Sequence, residues 1–295
     1  MLRCCALLSA GLLTACLVTD PRPPPGSVLF TVSSDEPLRS GFTTDDGWSV
    51  QYSRFLISLG HASPEGDACL FYSDAAYNRV LDARRAGPQK LSIIYMLYTC
   101  SIDYEVSSPW SDSVLGEGAT ATDRELMRTP GADDYVKESG ISLRVEGTAE
   151  KDGVGKRFSW SFRNRIDSTN CSFVVDGQVV QGVDLHENEA VTRDFTVHGA
   201  TLFQDRLDAG QAKLRFGALA AADEGGDADG EVTLEELGQV PLADVAVADR
   251  YSDADPGWTT LEDYVYRGLF TKVVRPQGDG SCEETEIFPN DRTPH

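Results

Sequence analysis

Before about residue 198 the chain repeats with a period of two. In 27–33 (SVLFTVS) and 141–147 (ISLRVEG) apolar and polar positions alternate. In 157–163 (RFSWSFR) they alternate without a break, which places Phe158, Trp160 and Phe162 on one face. This is the pattern of a strand with one buried side. The run 48–59 (WSVQYSRFLISL) keeps the period but slips once, with Trp48, Val50 and Tyr52 in one phase and Phe55, Ile57 and Leu59 in the other. A single extra residue does this, so a β-bulge is expected there. The run 91–98 (LSIIYMLY) is almost wholly apolar, as a central strand covered on both faces would be. Segments 171–180 and 190–198 complete the strand set, and Asp45-Asp46-Gly47 marks a turn. Strands at this spacing, parted by Gly, Asp and Ser turns, predict a β-sandwich-like domain or related barrel over 27–198. Short helices are expected within 72–85 and 123–128.

The period changes after His198. Apolar residues now recur at helical spacing: Leu214, Phe216 and Leu219, then Leu234 and Leu237, then Leu261, Tyr264, Val265, Leu269 and Val273. Thr259-Thr260 followed by Glu262-Asp263 is a helix start signal for 260–274. The expectation is therefore a mainly β chain with C-terminal helices: strands over 27–198, a helical region over 199–283 and a polar tail over 284–295. No internal repeat is visible.

Within the helical region lies Asp227-Ala228-Asp229-Gly230-Glu231-Val232-Thr233-Leu234-Glu235-Glu236. A hard dication needs oxygen ligands at alternating positions, a glycine at a sharp bend and a closing carboxylate. With Gly230 sixth in a twelve-residue loop, Asp227 and Asp229 are third and fifth. Glu231 then offers its backbone carbonyl from the seventh place, Val232 is the apolar eighth, Thr233 is ninth and Glu236 twelfth. The segment resembles the calcium loop of the EF-hand superfamily, and Ca2+ is the cofactor the resemblance implies. Flanking helices are expected over 212–223 and from Thr233 onward. The first position holds Gly225 where the family has an aspartate, and Asp223 lies two residues earlier. We read the loop as lengthened, with Asp223 or a water in the missing place. Such a site belongs near ~10⁻⁴ to 10⁻³ M in affinity. The plainer alternative is an acidic, solvated turn between two helices. A second acidic loop, 253–257, has its glycine at the wrong offset and is expected to be an ordinary turn leading into the last helix.

The start of the chain speaks to location. A short basic segment and an apolar run lead to Leu13-Thr14-Ala15-Cys16, which resembles the lipobox of bacterial lipoproteins. The resemblance implies removal of residues 1–15 as a signal peptide and acylation of Cys16, with palmitate-type chains anchoring the protein to the membrane. Leu17 after the anchor implies the outer membrane. The alternative is an ordinary secretory signal cut near Ala15, leaving Cys16 a free thiol. Three consecutive prolines, Pro23 to Pro25, make 16–26 a stiff tether. Together the two motifs resemble the EF-hand-bearing envelope lipoproteins.

Charge narrows the partners. The chain carries 26 basic and 47 acidic residues; removing Arg3 with the leader leaves 25 against 47, a net of −22. Such a surface repels nucleic acid. After Cys4, Cys5 and Cys16, four cysteines remain, Cys69, Cys100, Cys171 and Cys282, too scattered for a zinc or iron site. Two disulfides are expected, with all three pairings open. The sequence shows no nucleophile elbow, P-loop or dinucleotide fingerprint, and 186–190 (HENEA) lacks the second histidine of a zinc protease. His198, at the junction of the two regions, is the best histidine for a metal; the alternative is a hinge residue bonded to a nearby carbonyl. The expected role is a non-enzymatic binding or structural envelope protein with one calcium site. Two alternatives stand beside it: a transition-metal-handling protein using His198, and a hydrolase of envelope polymers with its carboxylates hidden in the acidic background.

Overall fold

The computed structural model describes residues 21–85, 87–129, 140–247 and 250–287. The signal peptide, Cys16, part of the tether and the end of the tail lie outside the described residues.

The protein is mainly β, built on long strands. Ser49–Glu65 and Gln89–Val106 run 17 and 18 residues. One hydrogen-bonded sheet takes up most of the strands in the order Glu231–Val232, Val154–Phe162, Leu143–Lys151, Ser49–Glu65, Gln89–Val106, Gly26–Ser34, Ala190–Val197, Val274–Pro276. A sandwich has two separate sheets; here the long strands carry one sheet around the core, so it is curled rather than split. Most neighbours are antiparallel. Gly26–Ser34 runs parallel to Ala190–Val197, and Glu231–Val232 parallel to Val154–Phe162.

Local sequence accounts for much of this. Phe158, Trp160 and Phe162 are all buried, as the strict alternation requires. The register against Leu143–Lys151 shifts between Tyr52 and Arg54, at the slip in the alternation. Ala121–Met127 is a helix started by a Thr120–Asp123 capping box. Two expectations fail. The segment 72–85, expected to hold a short helix, instead holds the strand Ala75–Asp82, because pairing with Ser49–Glu65 overrides its weak local preference. The run 91–98 is not covered on both faces: Ile93 and Tyr95 are exposed while Ile94 and Met96 are buried.

The C-terminal helices are few and short. Gly217–Gly225 has nine residues, and Leu234–Leu237 and Leu242–Val245 four each. Leu261–Asp263 continues through the π-helical Tyr264–Leu269 into the 3-10 turn Phe270–Lys272, covering most of the expected final helix. The same region returns strands to the sheet, with Val274–Pro276 on Ala190–Val197 and Glu283–Ile287 on Arg165–Thr169. Its apolar residues Leu219, Val232, Leu237, Leu261, Tyr264 and Phe270 belong to the same buried cluster as Phe55, Phe158 and Trp160. Phe203 sits at the seam, with ring centroids 5.5 Å from Phe158, 5.6 Å from Trp160 and 5.8 Å from Phe216. The core is thus continuous across residue 198.

The disulfides are Cys69–Cys100 and Cys171–Cys282, the second joining positions 111 residues apart. Among the described residues no helix is long and apolar enough to cross a membrane.

Candidate metal centre

Loop 223–236 is held against the open edge of the sheet. Val232 has no exposure, and its carbonyl accepts the Trp160 indole N–H at 2.8 Å. The Gly230 carbonyl accepts the Arg157 amide at 2.8 Å. The apolar eighth residue therefore plugs the core while the residues before it stay outside. Ala228 and Gly230 take left-handed backbone, φ 57° and 86°, which folds the acidic segment back on itself.

The fold brings Asp223, Asp227 and Asp229 together, each placing a carboxylate oxygen within 4.8 Å of the others. Asp223, near the end of Gly217–Gly225, is the member of the trio that lies before Gly225. Its Oδ1 accepts the Gly230 amide at 3.1 Å. Asp227 Oδ1 accepts the Asp229 amide at 3.1 Å, and Asp229 Oδ1 accepts the Glu231 amide at 2.7 Å. These bonds hold the three side chains close together. Lys156, from the sheet edge, pairs with Asp223 Oδ2. Burial disfavours the Asp223 anion, but Lys156 and the Gly230 and Asp229 amides outweigh it and hold the carboxyl below its ordinary range.

Thr233 and Glu236 are engaged differently. They form a reciprocal capping box that starts Leu234–Leu237: Glu236 Oε2 accepts from Thr233 N at 2.9 Å and Oγ1 at 3.0 Å, and Thr233 Oγ1 accepts from Glu236 N at 3.2 Å. Glu236 is only 7% exposed, and its Oε1 has no hydrogen-bond partner. That oxygen faces Gly226, where an added Cβ would sit 2.5 Å from it. The Glu231 carboxylate points to Arg157, 3.8 Å away. The donor set fits a hard cation in part. Three aspartates converge, Glu236 carries a buried oxygen without a partner, and Lys156 supplies one positive charge at Asp223.

His198 joins no such group. Its amide donates to the Val273 carbonyl at 2.7 Å, and its ring lies 3.3 Å from Asp35 and 3.7 Å from Asp279. Among the described residues the aspartate trio is the one cluster of three or more metal-ligating side chains. In the second acidic loop, Asp253 accepts from Tyr264 Oη at 2.7 Å and Leu207 N at 2.7 Å, and Asp255 turns back on the Gly257 amide. It is an ordinary turn before a helix capped by Thr260 and Asp263.

A second polar site was not visible in the sequence. A cleft of about 350 Å3 is lined by His61, Asp74, Asp103, Glu105, Arg165 and Asp167, among others. Asp103 and Glu105 alternate along Gln89–Val106, and Arg165 and Asp167 along Arg165–Thr169, so each pair shares a face. Register places Glu105 opposite Asp167. The two spacings are in the sequence, but only strand pairing makes them neighbours.

Comparison with known proteins gives no match: no family model, no curated protein and no solved structure resembles the chain. The functional argument therefore rests on local chemistry.

Proposed function

We propose that the protein is a lipid-anchored envelope protein of the outer membrane, held to it by acylated Cys16. A calcium ion in loop 223–236 fastens the C-terminal region to the sheet edge. The observation that carries the calcium reading is the convergence of Asp223, Asp227 and Asp229 on a loop already bonded to Val154–Phe162. Asp227 and Asp229 have accepted one amide each on Oδ1, so their remaining oxygens are the natural ligands, with Asp223 as the third. The loop backbone supplies a further oxygen at Glu231. Thr233 and Glu236 would join only by releasing part of their capping box. The positive charge of Lys156 at Asp223 and an incomplete donor set favour weak binding. Two disulfides accord with an oxidising compartment, where millimolar calcium makes a weak site useful. At tenfold excess over its dissociation constant, calcium adds about 1.4 kcal/mol to stability. That suits a staple rather than a switch.

The test is calorimetry with calcium on the full chain. One site of submillimolar to millimolar affinity is expected, with loss of the heat in Asp227→Ala and Asp229→Ala. Equal binding by parent and variants would end the calcium reading. Lipid attachment is read separately, by labelled palmitate on the parent and on Cys16→Ser; label on both, or neither, defeats the anchor.

A further inference from the structure

The cleft beside His61 belongs to no part of the calcium reading. Its charges are wired in a definite way. Glu105, 7% exposed, accepts from Ser107 Oγ at 2.7 Å, and Ser107 in turn accepts from Asn78 Nδ2 at 3.4 Å. Arg165 bridges Glu105 at 2.8 Å and Asp167 at 2.5 Å. These acids face each other across two strands and would otherwise repel. The His61 Nε2 lies 3.4 Å from Glu105 Oε1, buried and without a hydrogen bond. Its backbone is left-handed, φ 49°, where the register slips between Gly60 and Ser63. Histidine is among the non-glycine residues that enter this region most readily. Trp110, about half exposed, meets the imidazole edge-on at 4.9 Å.

The wiring consumes the local positive charge. Arg165 is committed to Glu105 and Asp167, leaving Asp74 and Asp103 on the cleft wall. Among the described residues no lysine or arginine forms an ion pair with either. Asp103 accepts one amide, from Asn170 at 3.0 Å. Burial raises its carboxyl above the ordinary range, and Glu65 and Glu283 push the same way. Asp74 is exposed and Asp103 half-buried, so a cation from solution can reach both. The cleft acids do not meet at one point as the loop aspartates do, which disfavours a bare dication. A volume near 350 Å3 is that of a small-molecule site, and the hydroxyls of Ser63, Ser168 and Thr169 make it hydrophilic.

We propose that this cleft binds a small organic ammonium compound, its positive charge set against Asp103 and Asp74. Asn78, through Ser107, fixes Glu105 beside His61 on the cleft wall. Ser63 stands opposite Asp103 in the register, so Ser63→Lys carries an ammonium into the site on the protein's own chain.

The probe is spermidine, titrated calorimetrically into the full chain, with glucose as the uncharged comparison. One saturable site is expected for spermidine and none for glucose. Asp103→Asn keeps the Asn170 contact and removes the charge; it should weaken binding about tenfold or more. Ser63→Lys should abolish it, and Asp229→Asn, in the calcium loop, should leave it unchanged. Thermal midpoints matched to the parent confirm that the variants fold. Absence of binding overturns the proposal. So does spermidine bound at many sites and equally by Asp103→Asn and Ser63→Lys, which would mean attraction to the acidic surface alone. Saturable glucose binding would replace the ammonium ligand with a sugar.

Discussion

Asp223 is the residue on which the candidate centre turns, and it serves two purposes. It is one of the three clustered aspartates of the loop and it neutralises Lys156, which is only 8% exposed. Its carboxyl is held below the ordinary range, so its contribution to stability is complete above the unfolded value of about 4. That contribution disappears as pH falls through the lower folded value. Asp223→Asn should therefore be less stable than the parent at pH 7 by about 2 kcal/mol. Asp223 is covered but lies close beneath the surface, which argues against the larger figures seen for deep ion pairs. Urea unfolding of both proteins from pH 7 to pH 2 checks this: the gap should close as the pH drops below about 4. A gap that stays constant would mean the Lys156 pair does not stabilise the fold. Asp223 was legible as a candidate because it is the nearest aspartate upstream of Gly225. Lys156 as its partner was not, since 67 residues separate them and only the docking of the loop on the sheet edge joins them.

At the scale of elements, period-two patterning was the most readable signal. The strand Val154–Phe162 and the bulge after Tyr52 follow from apolar spacing alone. What could not be read is which strands become neighbours. Ala75–Asp82 has an ambiguous local pattern and becomes a strand through its partner. The cleft acids become a site only because Arg165–Thr169 lies beside Gln89–Val106. Loop 223–236 shows both cases. Its backbone bends and apolar plug were legible, while the engagement of Thr233 and Glu236 with each other was not. Their residue types satisfy a ligand pattern and a capping box equally, and the box is the arrangement formed here. Thr233→Ala separates the two uses. As a cap it should cost about 1 kcal/mol whether or not calcium is present. As a ligand it should lower calcium affinity in calorimetry with little effect on the calcium-free protein. Thermal unfolding in calcium and in chelator distinguishes them, and we expect the calcium-independent loss.

For the whole molecule, the change in pattern at 198 suggests two parts, whereas the core suggests one. Phe203, Phe216, Leu219 and Phe270 pack into the cluster that holds Phe158 and Trp160, and Val274–Pro276 and Glu283–Ile287 are strands of the main sheet. Cys171–Cys282 ties the same regions by a covalent bond. Loop-closure entropy makes this the stronger bridge: a span of 111 residues is worth about 5 kcal/mol, against about 4 kcal/mol for the 31 residues between Cys69 and Cys100. Either the shared core or the bridge could hold the regions together, and they can be told apart. The double variant Cys171→Ala, Cys282→Ala removes the bridge and leaves the core residues in place. If the core is one cooperative body, calorimetric unfolding of the variant should remain a single transition at a lower midpoint, with calorimetric and van't Hoff enthalpies still equal. If 27–198 and 199–283 were separate folding units, the variant should unfold in two steps, and calcium should raise only the one that contains Asp227. The aromatic seam at Phe203 crosses the boundary with four ring contacts, to Phe42, Tyr52, Phe158 and Trp160. Exposing that seam would cost more than the bridge contributes, so we expect the single transition, raised as a whole by calcium.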